Sequence, residues 1–152
     1  MSRLLTAALV ATGFVACSGP SLVPRDVDPR NDICQSCRMP VSDPRLAAQL
    51  LESGEEPRYF DDIGCLREDL AARPPRKRAA LFVADHRTGA WIPAGKAVYS
   101  VCPSVATPMG SHLLAYADAS SRDRDPAAKG GRPVTMEQAL GPSARASGGS
   151  AP

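Results

Sequence analysis

Arg58-Tyr59-Phe60-Asp61-Asp62-Ile63-Gly64-Cys65-Leu66-Arg67-Glu68-Asp69-Leu70 contains the change of period that decides the fold class. Arg58-Tyr59-Phe60 reads as a strand. From Ile63 onward the apolar positions Ile63, Leu66 and Leu70 are spaced by three and four, which puts them on one helical face. An Asp just before such a run is a good N-cap, because its carboxylate accepts from amides that the first turn leaves unpaired. Pro74-Pro75 stops the helix, since proline lacks the amide a further turn needs. Upstream, Leu46-Ala47-Ala48-Gln49-Leu50-Leu51 predicts a strand and Ser53-Gly54-Glu55-Glu56 a turn. Downstream, Ala80-Leu81-Phe82-Val83-Ala84 predicts another strand. The order is strand, strand, helix, strand.

The second half repeats that order. Lys96-Ala97-Val98-Tyr99-Ser100-Val101 alternates as a strand does, and Leu113-Leu114-Ala115-Tyr116 is its expected partner. Residues 118–129 have room for a helix, but Pro126 breaks it or confines it to a short turn. Gly130-Gly131 ends that segment, and Arg132-Pro133-Val134-Thr135 is the expected last strand. Thr135 followed by Gln138 forms a capping box that opens a short terminal helix. The expected fold class is α+β: two small related strand-strand-helix-strand units with antiparallel sheets, over about 33–90 and 91–141.

Composition limits what such a domain does. The chain has 152 residues, 43% of them hydrophobic and 22% charged, which suits one globular domain. Only 5% are aromatic, so Leu, Val and Ala must build the core. With 12 Gly and 15 Pro, the elements must be short and the turns many. A formal net charge of +2 is too weak to suggest nucleic-acid binding. The chain has no phosphate-cradling Gly-Lys-Ser/Thr loop, dinucleotide fingerprint or RNA-binding signature.

The N-terminus is expected to be a leader rather than part of the fold. Arg3 precedes an apolar run over 4–16, too short for an ordinary membrane span, and Phe14-Val15-Ala16-Cys17 reads as a bacterial lipobox. Residues 1–16 are then a lipoprotein signal peptide, Cys17 carries diacylglycerol, and residues 17–32, with three prolines, form a tether. Ser18 after the cysteine fits outer-membrane sorting, so the expected location is the periplasmic side of that membrane. Loss of Arg3 with the leader lowers the net charge by one. Residues 142–152 are expected to be a disordered tail.

In that compartment thiols can oxidise, and four cysteines remain after Cys17: Cys34, Cys37, Cys65 and Cys102. Cys34-Gln35-Ser36-Cys37-Arg38-Met39 packs two thiols and a thioether into six residues. Cys65 lies at a helix start, and Thr107-Pro108-Met109-Gly110-Ser111-His112 adds a second thioether and an imidazole. Thiolates and thioethers are soft ligands that favour Cu(I) over hard cations. With only one Cys-x-x-Cys pair, the common paired spacing of a structural zinc site is missing. Each piece also has a plain structural role to fill. Met39 and Met109 suit core filling, His112 a solvated or core position, and Asp61-Asp62 a helix cap. Cys102 suits a buried thiol or half a disulfide, and Trp91 a core position after a turn. Cys34 and Cys37 suit a disulfide or redox pair, although no helix starts there to lower a thiol pKa.

Taken in order, these segments resemble a known family. Cys34-x-x-Cys37-x-Met39, Phe60-Asp61-Asp62-Ile63-Gly64-Cys65, Asp85-x-x-Thr88-Gly89-x-Trp91-Ile92-x-Ala94 with Ala97-x-Tyr99, Thr107-Pro108-Met109-Gly110 and Gly130-Gly131 resemble NosL, the copper-binding lipoprotein accessory to nitrous oxide reductase. The resemblance covers roughly residues 34–141. It implies a periplasmic lipid-anchored Cu(I) chaperone of denitrification that delivers copper for the reductase's copper-sulfide centre. Delivery would pass through the enzyme's membrane-associated maturation complex, an ABC transporter with a periplasmic partner. It also implies a metal near the Cys-x-x-Cys-x-Met and Pro-Met-Gly segments. Cys37, Met39 and Met109 are the expected core ligands of Cu(I), Cys34 and Cys65 the next candidates, and His112 after them. Lys129 stands where relatives commonly have histidine, and Cys102 lies outside the family pattern. Nothing in the sequence suggests bond-making chemistry, so no enzymatic activity is expected. A thiol-disulfide protein using Cys34 and Cys37, a lipoprotein with two disulfides, and a copper chaperone for another enzyme such as an oxidase are the competing readings.

Overall fold

The computed structural model describes residues 22–75 and 78–147, and among them seven short strands form two antiparallel sheets. In the first unit, β1 (Ala48–Glu52), β2 (Arg58–Phe60), α1 (Ile63–Ala72), β3 (Ala79–Ala84) and β4 (Trp91–Pro93) follow in order. Their antiparallel sheet has the order β2-β1-β3-β4. In the second unit, β5 (Val98–Val101), β6 (Leu113–Tyr116), α2 (Ala119–Asp123), β7 (Arg132–Val134) and α3 (Met136–Leu140) follow, with an antiparallel sheet β6-β5-β7. In each unit the first strand is central, flanked by the second and the third. The α+β class and the repeated strand-strand-helix-strand order are therefore present.

Local chemistry accounts for the helix ends. Asp62 caps α1 by accepting from the Gly64 amide at 2.6 Å, and Asp118 caps α2 by accepting from the Ser121 amide at 2.7 Å. Thr135 and Gln138 close the expected capping box at α3. Pro126 confines the charged segment after α2 to a single 3-10 turn, Pro126–Ala128. The strand expected over 46–51 starts two residues later, because Pro44–Leu46 is a 3-10 turn capped by Asp43.

One hydrophobic cluster runs through both units and contains Leu50, Phe60, Leu66, Leu70, Val83, Tyr99, Leu113 and Leu140. The two halves thus fold around a shared core. A polar staple also joins them. Asp85, 1% exposed, accepts from Ser121 Oγ and the Ala117 amide, each at 2.8 Å, while the His86 amide donates to the Ala115 carbonyl at 2.9 Å.

Three further boundaries differ from the sequence reading. Trp91–Pro93 pairs with β3, so the first unit extends past residue 90; Pro93 is tolerated because β4 is an edge strand. Trp91 is consequently half-buried at that edge. Residues 22–32 do not hang free as a tether. The buried Gln49 side chain accepts from the Arg25 amide at 3.0 Å and donates to its carbonyl at 2.9 Å, and Val27 packs on the core. The tail expected from 142 begins with a 3-10 helix, Pro142–Ser147, that buries Ala144. The signal segment and Cys17 lie outside the described residues. Among the described residues no helix is long and apolar enough to cross a membrane.

Candidate metal centre

Two loops of the first unit meet to form the site. The first is a hairpin closed by the bridge between Ile33 and Pro40. Its Cys34 amide donates to the Met39 carbonyl at 2.8 Å, and the Arg38 amide donates to the Cys34 carbonyl at 3.0 Å. Arg38 adopts φ +66°, a strained value for a side-chain-bearing residue, and this bends Cys37 and Met39 back toward Cys34. The Gln35 amide ties this hairpin to β2 through the Tyr59 carbonyl at 2.8 Å. The second loop is the passage from β2 into α1, which carries Asp61, Asp62 and Cys65.

Between them, Cys34, Cys37, Cys65 and Asp61 bring three sulfurs and a carboxylate oxygen within 4.8 Å of one another. Cys34, Cys65 and Asp61 are buried, and Cys37 is the half-exposed member. Cys37 Sγ lies 3.3 and 3.4 Å from the two oxygens of Asp61. Donors on one tetrahedral ion with metal–sulfur bonds of about 2.3 Å stand roughly 3.8 Å apart, so the cluster needs only a small contraction to close on an ion.

Burial governs the thiols' protonation. It pushes Cys37 up to about 11; the Met39 amide acts in the opposite direction, and Cys34 and Asp61 add to the rise. Cys65 sits in the first turn of α1, where the helix dipole favours a thiolate. Burial wins there, and with the hydrogen bond to Asp61 it raises the thiol well above the ordinary cysteine range. These thiols therefore hold their protons near neutrality unless a cation takes the proton's place.

The remaining sequence candidates lie on the same hairpin, as Met39 does, or on the loop between β5 and β6, as Met109 and His112 do. Met39 is 41% exposed and Met109 47%, so neither fills the core. The Met109 loop lies on the start of α1. Its amide donates to Asp62 Oδ2 at 3.0 Å, and Ser111 Oγ bonds Asp62 Oδ1. Gly64 permits this approach, since a Cβ there would stand 2.8 Å from Ser111 Cβ. His112 is on the same loop, its Nδ1 2.7 Å from the Val105 carbonyl, and it is not among the four clustered donors. Cys102 is buried in a second cluster with Leu46, Leu114 and Tyr116, apart from the other three thiols. That leaves it without a role in the site.

Asp61 is the residue that sequence reasoning missed. One aspartate suffices to cap α1, and Asp62 does so; the adjacent Asp61 was the signal, a second carboxylate with no cap to fill.

Fold and site together define the class: a small α+β protein with a thiol-rich centre suited to a soft metal. The sequence profile of NosL matches residues 26–140, and the chain belongs to that family. No curated protein and no solved structure matches it. Family membership and the thiol group together fit a copper-binding role.

Proposed function

We propose that the protein is a lipid-anchored Cu(I) chaperone on the periplasmic side of the outer membrane. In this reading it delivers copper for the copper-sulfide centre of nitrous oxide reductase through the maturation complex, an ABC transporter with a periplasmic partner. The observation that carries it is the convergence of three thiols, two buried and one half-exposed. Buried sulfurs hold the ion away from water, and Cys37 at the surface gives a partner's ligands a point of attack. Met39 and Met109, exposed thioethers on the two neighbouring loops, are weak soft ligands from which copper readily departs. Copper here is cargo, passed by ligand exchange without a redox step.

The thiol-disulfide alternative is less well supported. A thiol raised to about 11 has little thiolate near neutrality, whereas redox pairs work through a lowered thiol. The test is an anaerobic titration of the reduced protein with Cu(I) against a chromophoric competitor. One tightly held Cu(I) per chain is expected, and loss of the ion to even a weak chelator would overturn the reading. The client is tested by mixing the loaded protein with metal-free nitrous oxide reductase and its maturation complex. Copper-sulfide absorption should appear, and its absence would remove the reductase as client.

A further inference from the structure

We infer that the cavity between α2 and β7 is a docking site for an acidic segment of a partner protein, whose carboxylates pair with Arg124 and Lys129. None of the four donors of the thiol group lines this cavity, so the site stands whether or not copper is the cargo.

The cavity measures about 500 Å³, within the usual size of a ligand cleft. It opens between the end of α2, the 3-10 turn that follows and β7. Three ties fix its walls. Asp125, at the head of the turn, has Oδ2 2.7 Å from His86 Nδ1, and its Oδ1 accepts from the Ala127 amide at 3.0 Å. The Gly131 amide donates to the Ala128 carbonyl at 2.9 Å. Gly131 itself lies against Cys102, where a Cβ would stand 2.5 Å from Sγ, so a glycine is what lets the chain approach this closely. Pro126 and Pro133 stiffen the two sides further. A shape held this way exists before a partner arrives, which lowers the cost of ordering it on binding.

Charge says what the cavity takes. Three cations and two carboxylates line it, and pairing leaves two cations over. Arg122 engages Asp123 at 2.8 Å, and His86 engages Asp125. Arg124 and Lys129 are exposed, and among the described residues no carboxylate pairs with either. Each is matched by one incoming carboxylate, which a guanidinium takes through two parallel N–H donors. Pro126, Ala128 and Pro133 give the stem of an Asp or Glu side chain an apolar wall. A membrane surface fits less well, because the cations flank a hollow and the whole chain carries only +2. A phosphate dianion also fits less well, because Asp123 and Asp125 share the lining and repel it. Val101 pairs with Arg132, and the next residue, Cys102, starts the loop that carries Met109. A partner docked in the cavity therefore sits at the root of that loop.

The test follows the amide NMR spectrum of the reduced, nitrogen-15-labelled protein as tetraglutamate is added. Saturable shifts confined to residues 122–133 are expected, and binding should weaken as ionic strength rises from about 0.05 M to about 0.5 M. Lys129→Glu and Arg124→Glu should each weaken the peptide about fivefold, and together about 25-fold, with Cu(I) affinity unchanged. Shifts scattered over the surface, binding indifferent to salt, or K129E and R124E binding as tightly as the unaltered protein overturn the inference. Inorganic phosphate moving the same signals at lower concentration than tetraglutamate overturns it in favour of a small-anion site. Co-sedimentation with phosphatidylglycerol vesicles that K129E abolishes, without peptide binding, overturns it in favour of a lipid surface. Should either reversal disturb the fold, Arg124→Gln and Lys129→Gln take its place, and the same outcomes decide. Loss of Cu(I) to a weak chelator sinks the chaperone and leaves this site standing.

Discussion

The backbone amide of Met109 donates to Oδ2 of Asp62 at 3.0 Å, across 47 residues of sequence. The helix cap next to the thiol group thereby also anchors the loop that carries the second thioether. Asp62→Ala removes the cap and releases the Met109 amide and the Ser111 hydroxyl together. A loss of about 3 kcal/mol is expected, more than an ordinary cap provides. Urea unfolding of the variant measures it; a loss under about 1 kcal/mol would mean that the loop is held elsewhere.

Gly64→Ala tests the same junction by filling it. The added Cβ would meet Ser111 Cβ at 2.8 Å, so the Met109 loop must lift from α1. A cost of about 1–3 kcal/mol is expected, with weaker Cu(I) binding if Met109 is a ligand. Restoring space with Ser111→Gly should recover part of the stability. Absence of any recovery would place the strain elsewhere.

Met109→Leu separates ligand from filler. At 47% exposure the side chain contributes little to the core, so the melting temperature should hardly move. Cu(I) affinity should fall about tenfold, or 1.4 kcal/mol. Unchanged affinity in the competition titration would take Met109 out of the site.

The half-exposed Cys37 should alkylate slowly. With its thiol raised to about 11, thiolate at pH 8 is scarcer than in a free cysteine by about two orders of magnitude. Iodoacetamide should therefore modify the reduced protein about 100-fold more slowly than a free thiol, and loading with Cu(I) should slow it further. Rapid alkylation of Cys37 at neutral pH would revive the redox reading.

The parts of the fold legible in the sequence were those written in short-range patterns. The three-and-four spacing after Asp62, the alternation through Val101 and the Thr135–Gln138 box each specify an element within one segment. Trp91–Pro93 was missed because three residues, one a proline, show no period, and its strand character comes from pairing with β3. The docking of residues 22–32 was missed for a similar reason. It depends on Gln49, which reads as a polar residue in a strand until Arg25 reaches it from 24 residues away. At the site, the thiols and thioethers were visible by type. Asp61 was not, because its place beside Cys37 is a tertiary contact and its neighbour already explained the local pattern.

Acid should destabilise the fold through Asp62 and Asp85. Burial alone would raise both carboxyls. The bonds Asp62 receives from Ser111, Thr107 and the Gly64 and Met109 amides outweigh it, as do those Asp85 receives from the Ala117 amide, Ser121 and the Thr88 and Arg87 amides. Both therefore titrate below the ordinary value of 3.8. A carboxyl lowered in the folded state contributes its full stability above the unfolded value and loses it as pH falls through the folded one. Stability should be level from neutrality to about pH 5 and should decline below about pH 4. Urea midpoints across that range measure the slope, and Asp85→Asn should flatten it while lowering stability at neutral pH. An acid limb of unchanged slope in D85N would assign the loss to other carboxyls, with D62N the next to be measured.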